Sequence, residues 1–389
     1  MGMPNSTPIT VVGGGIAGLV AAISAAEAGA RVDLHEAHAV LGGRARSSLG
    51  PYIANLGPHA IYSDGPLWSW LKARDLLPPC AQPPLSGLRF RRQGELRRSP
   101  GPLLRALPLL WHSGDVPAAP SLAEWVGERA PTLVADALCR FMAVATFTAD
   151  PGALAASFGV ERAKRVLRVP SAARYVRGGW TVLVDRLAEG AARLGVRIHL
   201  QSPVDRLPEG GPVVVATELD RARRLLDDDS LRWPSGRVGL LDIGLVARGS
   251  DPFIVSDLDG AGWAERFSQP DPTLAPTGHS LVQVQVGLRG TETLEDGVRR
   301  AEALLDCGFG SWRERETWRR RSLLDGSTGA LDLPGTSWRD RPPIDRGDGV
   351  FLCGDSVAAP GLLSEVAWAS ATSAGRAAVH LTATRQTGR

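Results

Sequence analysis

The sequence predicts an α/β fold in which a parallel sheet is assembled from distant parts of the chain and carries a second, α+β part. Three observations predict this. A short β-branched run at residues 9–12 precedes glycines, an Ala- and Leu-rich segment and a second strand at residues 31–35. A strand–helix–strand pattern covers residues 181–217, and an apolar strand at residues 349–353 lies near the C-terminus. Apolar strands that alternate with helices are typical of parallel sheets covered on both faces.

The first strand leads directly into the sequence GGGIAG, which places glycines at Gly13, Gly15 and Gly18, with Ala17 between the last two. In a G-x-G-x-x-G turn the first glycine permits the tight turn and the second lets the backbone approach a pyrophosphate. The third allows the following helix to pack closely on the strand. The N-terminus of that helix, expected over residues 19–28, offers free N–H groups to phosphates. The turn therefore predicts a dinucleotide site.

Glu36 follows directly on the second strand. A carboxylate at this place can accept hydrogen bonds from a ribose diol, and it repels the 2′-phosphate of NADP. These residues alone leave NAD and FAD open as ligands. A glycine-rich turn that binds no ligand is the third alternative.

Residues 41–47 have the sequence LGGRARS, which places Gly43 and Arg44 just after the acid-terminated strand. An arginine here is expected near the same pyrophosphate, because its guanidinium fork matches phosphate oxygens. Near the C-terminus, residues 349–355 predict a buried strand that ends in Gly354 and Asp355. Glycine turn, strand-end acid, Gly-Gly-Arg and late Gly-Asp together resemble the FAD-binding amine oxidase and phytoene desaturase superfamily. The Gly-Gly-Trp at residues 178–180, the late Pro-Gly and the Ala-rich final helix resemble the phytoene desaturase-like branch.

The resemblance implies non-covalent FAD in a Rossmann-like FAD-binding domain that is discontinuous in sequence. That domain is expected over residues 1–62, 172–232 and 340–389, and an α+β substrate domain over residues 63–171 and 233–339. Within the substrate domain we expect mostly helices up to residue 174, and strands at residues 237–247 and 281–286. In the second strand valines alternate with glutamines, which predicts one apolar face.

The resemblance also implies cofactor contacts at single positions. Gly57 and Pro58 lie where the chain passes the flavin ring, and the backbone of Val204 contacts the adenine. Asp355 binds the ribityl chain and the pyrophosphate side, and Val366 lies at the start of the final helix, which meets the ring. A helix N-terminus there stabilises negative charge on the reduced ring.

Side chains for the chemistry are few. His59 is a candidate base or substrate-orienting group, and the alternative is that only its backbone meets the flavin. Trp368 is a candidate for the cavity wall, but we favour core packing. Amine oxidases of the superfamily usually carry a lysine on a late strand, and the chain's lysines, Lys72 and Lys164, lie elsewhere. No cysteine follows the Gly-Asp motif, so we expect no covalent flavin, and we interpret Cys353 as a small buried strand residue.

Composition restricts the partners only weakly. The 44 basic and 41 acidic residues give a net charge of +3, and we expect no nucleic-acid partner. The arginines of residues 89–98 are interpreted as a solvated loop, with an anionic substrate or a membrane surface as the alternatives. Residues 103–111 are apolar but too short to span a bilayer, so a buried helix is favoured over a peripheral membrane contact. Without a signal peptide or a Cys-x-x-Cys pair, we expect a cytoplasmic monomer or homodimer without a metal site, with a membrane-peripheral location as the alternative.

The sequence-based hypothesis is an FAD-dependent desaturase or dehydrogenase. It would remove a hydride from a C–H bond of an apolar small molecule, such as an isoprenoid or natural-product intermediate, and pass the electrons to oxygen or a quinone. Three alternatives remain open: an amine or amino-acid oxidase, a redox-neutral flavin-dependent isomerase, and a binding protein without catalysis.

Overall fold

A computed structural model describes residues 8–57, 59–84 and 86–387 of the chain. The strands of these residues, in chain order, are β1 Ile9–Val12, β2 Val32–His35, β3 Ile61–Tyr62, β4 Cys80–Ala81, β5 Leu88–Arg92, β6 Glu95–Arg97, β7 Ala173–Val176, β8 Arg197–His199, β9 Val213–Val215, β10 Ser235–Val246, β11 Ile254–Asp257, β12 Gly262–Glu265, β13 His279–Gly287, β14 Glu316–Ala330 and β15 Val350–Leu352. The α-helices are α1 Ile16–Glu27, α2 Pro66–Ala73, α3 Ala106–Trp111, α4 Leu122–Gly127, α5 Thr132–Phe141, α6 Ala143–Thr146, α7 Ala156–Val166, α8 Thr181–Arg193, α9 Leu219–Leu226, α10 Leu294–Gly308, α11 Trp312–Arg315 and α12 Ser364–Thr387.

A five-stranded sheet, parallel at every pairing, has the strand order β15-β9-β1-β2-β8. Its strands come from the start, the middle and the end of the chain, which confirms the predicted α/β fold class. Helices α1, α8 and α12 pack in one hydrophobic core on this sheet, and α9 packs in another with β9 and β15. Because both faces are covered, strands β1, β9 and β15 are almost wholly apolar, as is typical of parallel sheets, whereas the edge strand β8 carries Arg197 and His199.

A seven-stranded mixed sheet has the order β14-β10-β13-β12-β11-β5-β6. Helix α10 covers one face, where Val282, Val284 and Val286 are buried, so the predicted apolar face of β13 is confirmed. The opposite face is also buried: Gln283 is 1% exposed and Gln285 is 2% exposed. The alternating pattern therefore marks a strand between two packed layers, in which the amide groups find polar partners.

The segment between residues 62 and 174 is only partly helical, because three short strands, β4, β5 and β6, lie between α2 and its other helices. Strands β5 and β6 form an antiparallel hairpin, and β5 pairs in parallel with β11. The arginine-rich stretch is thus the edge of the seven-stranded sheet, and its interpretation as a loop was wrong. Strands bring charged side chains to an exposed edge, which disfavours edge-to-edge association.

The apolar segment of residues 103–111 forms a 3₁₀ turn followed by α3. Leu103, Ala106 and Leu110 are buried, whereas Leu104 and Trp111 are about half exposed. The segment is therefore packed on one side, as favoured from the sequence. Within the described residues, no helix combines the length and the apolar character needed to cross a bilayer.

Candidate functional site

A cavity of about 550 Å³ lies at the carboxyl ends of β1, β2, β9 and β15 and extends beneath the seven-stranded sheet. This volume is within the range of small-molecule and cofactor sites. The carboxyl edge of a parallel sheet is where α/β folds place their ligands. Ten of the sequence-predicted residues line the cavity: Gly13, Gly15, Ala17, Glu36, Gly43, Arg44, His59, Val204, Gly354 and Asp355.

Each of the three glycines in the turn is required for a different physical reason. Gly13 has a φ of +107°, and a Cβ built on it would lie 2.7 Å from the carbonyl oxygen of Ala216. A Cβ on Gly18 would lie 1.8 Å from the oxygen of Gly13, so α1 packs on the turn without room for a methyl group. Gly15 differs, because the nearest protein atom to its Cβ would be the oxygen of Gly42, at 4.0 Å. Gly13 and Gly18 are thus required by the fold, whereas Gly15 borders the cavity.

The Glu36 carboxylate is 6% exposed and joins the end of β2 to the glycine turn. Its Oε2 accepts a hydrogen bond from the Gly14 N–H at 2.8 Å, and its Oε1 accepts one from the His38 N–H at 2.9 Å. The His38 Nδ1 lies 2.6 Å from the same Oε1. Burial alone would raise the pKa of Glu36, but these hydrogen bonds outweigh it and hold the pKa below its ordinary value. Glu36 is therefore an ionised hydrogen-bond acceptor, and it also holds the glycine turn against the end of β2.

Arg44 and Asp355 come from the two ends of the chain and meet in the cavity wall. The Arg44 Nη2 donates to the Asp355 Oδ1 at 2.8 Å, and its Nη1 donates to the carbonyl oxygen of Ser327 at 2.7 Å. Glu218 adds a more distant carboxylate, 3.6 Å from the Arg44 Nε. The Gly-Gly-Arg and Gly-Asp motifs are thus joined by one ion pair, which closes the cavity between the parallel sheet and β14.

His59 is half-buried beside Trp180. Their ring centroids are 4.8 Å apart in an edge-to-face arrangement, and the His59 Nε2 lies 3.4 Å from the Arg44 carbonyl oxygen. The segment that carries His59 is fixed at Asn55. The Asn55 Oδ1 accepts hydrogen bonds from the Ser47 hydroxyl and the Trp180 N–H, at 2.8 and 3.0 Å.

The buried face of the seven-stranded sheet holds the same segment from above. The Gln283 Nε2 donates to the Asn55 carbonyl oxygen at 2.9 Å and to the Asp242 Oδ1 at 2.9 Å. Arg320 donates to the same carbonyl oxygen and forms an ion pair with Asp242. Burial raises the pKa of Asp242, although Arg320 and Gln283 oppose this shift. The polar face of β13 therefore positions the chain next to His59.

Other predicted residues lie outside the cavity lining. Gly18 and Gly57 are behind it, and a Cβ on Gly57 would face Leu240 at 3.7 Å. Val366 is buried and lines a smaller cavity that adjoins the large one. Pro58 lies outside the described residues.

Three further side chains carried interpretations from the sequence. Trp368 packs against the core of the parallel sheet, as favoured. Cys353 is 1% exposed, and burial raises the pKa of its thiol, which agrees with a buried strand residue. Val204 accepts a hydrogen bond at its carbonyl oxygen from the Arg221 Nη2, at 3.2 Å.

Sequence reasoning missed several lining residues. His38 stands two positions after Glu36, and a His so close to a strand-end acid is a usable signal. Trp180 was noted only as part of a motif. Phe147, Leu324 and Leu363 form an apolar wall with no local signal, because their proximity depends on the packing of β14 and α6 against the start of α12.

Comparison with known proteins agrees with this geometry. A model of the NAD(P)-binding Rossmann-like domain family matches residues 11–73. No curated protein matches the chain.

Solved structures are similar in fold over nearly the whole chain. An oxidoreductase from Methanosarcina mazei is 16% identical, with a TM-score of 0.77, covering 94% of this chain and 99% of its own. Cyclohexylamine oxidase from Brevibacterium oxydans is 16% identical, with a TM-score of 0.74, over 97% and 99%. A putative protoporphyrinogen oxidase from Exiguobacterium is 18% identical, with a TM-score of 0.71, over 98% and 100%. At such low identity the similarity establishes the shared fold.

Proposed function

We propose that this protein is an FAD-dependent oxidoreductase that removes a hydride from a C–H bond of a largely apolar small molecule. One observation carries the proposal. The glycine turn after β1, the Gly-Gly-Arg segment and the Gly-Asp end of β15 line one cavity, and the Arg44–Asp355 ion pair joins the last two.

The residues present fit FAD as a non-covalent ligand. Gly15 borders the cavity at the N-terminus of α1, where N–H groups and the helix dipole favour a pyrophosphate. Glu36 is ionised and can accept from a ribose hydroxyl, although two backbone N–H groups already occupy part of its capacity. Arg44 offers a guanidinium whose side chain is 35% exposed, and Asp355 offers a carboxylate that can accept from hydroxyl groups.

Bound FAD would supply the hydride acceptor. The chain's own contribution is orientation and exclusion of water. Phe147, Leu324 and Leu363 form an apolar wall on the side of the seven-stranded sheet, which suits a substrate with an apolar body. The N-terminus of α12 begins next to this wall at Ser364, where its partial positive charge favours an anionic group.

His59 is the proposed proton acceptor when the reaction also releases a proton. Its imidazole lies in the cavity wall, and the Asn55 contacts fix the chain that carries it. Neither Lys72 nor Lys164 belongs to the lining. This supports a desaturase or dehydrogenase over an amine oxidase that uses a lysine.

We also propose the division of labour expected from the sequence. Residues 1–62, 172–232 and 340–389 would hold the cofactor, and residues 63–171 and 233–339 would cover the substrate. The strands of the parallel sheet fall in the first set and those of the seven-stranded sheet in the second, which supports this division.

The experiment is anaerobic mixing of FAD-saturated protein with a panel of isoprenoids, steroids, primary amines and amino acids. We expect bleaching of the visible flavin bands by an apolar substrate, with a product that has lost two hydrogens by mass spectrometry. Bleaching only by amines, with hydrogen peroxide formed in air, would show an amine oxidase. Turnover only after chemical reduction, without a mass change, would show an isomerase. No bleaching by any substrate or by dithionite would contradict an enzymatic role.

A further inference from the structure

A second, much smaller cavity adjoins the large one. Its volume is about 10 Å³, which is room for a single water-sized group. Phe147, Thr328, Asp355 and Leu363 line both cavities, so the small one opens on the apolar wall of the proposed substrate site. Helix α7 contributes the remaining charged side chain of its wall, Arg162.

Arg162 is 4% exposed, and burial lowers its pKa to about 10. Its guanidinium carbon lies 3.3 Å from the centroid of the Phe158 ring, and its Nη1 makes a long hydrogen bond of 3.5 Å to the Phe158 carbonyl oxygen. Its Nε is buried without a hydrogen-bond partner among the described residues. A buried charge is costly unless it is paired, so this arrangement calls for an anion.

Two carboxylates near Arg162 are already engaged by other arginines. Asp332 accepts two hydrogen bonds from Arg341, at 2.9 and 2.8 Å, and Asp355 accepts one from Arg44 at 2.8 Å. In the part of the chain that the structure describes, Arg162 forms no ion pair, whereas Arg165 on the same helix pairs with Asp64. The exposed Glu161 next to it in sequence favours the charged form of Arg162, but among the described residues no carboxylate lies within ion-pair distance of its guanidinium.

We propose that Arg162 binds a carboxylate group of the substrate. One carboxylate oxygen would enter the small cavity, and the apolar body of the molecule would lie against Phe147 and Leu363. The space is too small for the three terminal oxygens of a phosphate, which favours a carboxylate. That the ligand is a substrate rests on the proposed function. The inference narrows the class of substrate from apolar molecules in general to apolar carboxylic acids.

The test is calorimetric titration of FAD-saturated protein with benzoate and with benzamide, its neutral analogue of nearly equal shape. We expect benzoate to bind about 10- to 100-fold more tightly, because hydrogen bonds to a charged partner are the strong ones. Arg162→Gln is expected to remove that preference. Lys164→Gln on the same helix removes one positive charge away from the cavity and is expected to leave it unchanged.

Two results would overturn the proposal: equal binding of benzoate and benzamide by the wild-type protein, or an unchanged preference in Arg162→Gln. If Arg162→Gln does not fold, Arg162→Lys decides, because it keeps the charge but loses the planar fork. We expect weakened benzoate binding there, and wild-type affinity would contradict the role of the guanidinium.

Thermal unfolding separates this role from a structural one. If Arg162 only binds a ligand, Arg162→Gln and the wild type should have the same midpoint of thermal unfolding in the absence of benzoate. Added benzoate should then raise the midpoint of the wild type and not that of the variant. Titrations with and without FAD separate the two proposals. Protein that binds benzoate through Arg162 but never retains flavin would refute the proposed function and support the carboxylate site. Protein that retains flavin but binds benzoate no better than benzamide would refute the carboxylate site and leave the proposed function standing.

Discussion

Replacing Gly15 with alanine should separate cofactor binding from folding. Gly15 has φ −75° and ψ −177°, which alanine adopts without strain, and its new methyl group would lie no closer than 4.0 Å to any protein atom. The loss of a favourable N-cap glycine costs about 1 kcal/mol. The methyl group would instead project toward the phosphates. We expect FAD binding to weaken by about 2 to 3 kcal/mol, or about 30- to 150-fold.

Two matched glycines make this experiment decisive. In Gly18→Ala the new Cβ would lie 1.8 Å from the backbone oxygen of Gly13, so the turn must move, at a cost of roughly 3 kcal/mol or more. In Gly127→Ala, at the exposed last position of helix α4, the new Cβ meets no atom within 4 Å, and alanine stabilises a helix by up to about 1 kcal/mol.

The assay is fluorescence titration with FAD, accompanied by urea unfolding of the apoprotein. We expect Gly15→Ala to fold normally but to bind FAD more weakly, and Gly18→Ala to be destabilised toward urea. Gly127→Ala should resemble the wild type in both measurements. Wild-type affinity for FAD in Gly15→Ala would refute the placement of the pyrophosphate at the N-terminus of α1.

Three further predictions follow from the contacts of the site. Asp355→Asn weakens the ion pair with Arg44, and we expect about tenfold lower flavin content after dialysis with little change in urea stability, since the pair is partly exposed; full flavin retention would contradict its role. Glu36→Gln replaces an acceptor of the Gly14 N–H, and we expect a loss of about 2 kcal/mol in the free energy of unfolding at neutral pH. Because the folded pKa of Glu36 is lowered, that difference is fully present above the ordinary pKa of 4.5 and declines as the pH falls through the folded pKa, and a difference that persists in acid would refute it. His59→Gln should retain flavin but slow flavin reduction by substrate about 100-fold or more, as measured by stopped-flow absorbance, and an unchanged rate would exclude it as the base.

The elements nearest the glycine turn were predictable because each depends on local chemistry. The β-branched run, the turn and the acid at the end of β2 specify their positions within a few residues. The meeting of Arg44 with Asp355 is also foreseeable, although these residues stand far apart in sequence. Parallel strands β2 and β15 present their carboxyl ends at the same edge of one sheet, so the motifs that follow them must converge there.

The seven-stranded sheet that covers the cavity was less predictable from the sequence. The buried glutamines of β13 follow the same alternation as a strand with one solvated face. Only the contact of Gln283 with Asn55, which packs on that face, shows that Gln283 is buried. Likewise, the arginines of the β5–β6 hairpin have the composition of a solvated loop. Their strand conformation depends on pairing with β11, more than 150 residues later in the chain. Long-range partners of this kind leave no local pattern.

Arg162 illustrates the same limit for function. In the sequence it is one of several basic residues on an amphipathic helix, and the favoured interpretation of such a residue is a solvated face. It is 4% exposed beside the small cavity, where Phe158 of the same helix packs against Leu331, and the neighbouring Asp332 is paired with Arg341. A charge without a partner becomes visible only when every neighbouring charge has been assigned.

The most direct test of flavin binding is the visible spectrum of the purified native protein after saturation with FAD and removal of the free cofactor. We expect flavin absorption bands at about one FAD per chain, and release of the flavin into the filtrate after denaturation, since the proposed binding is non-covalent. Protein that carries no flavin after this treatment, while its far-ultraviolet circular dichroism shows an intact α/β fold, would contradict it.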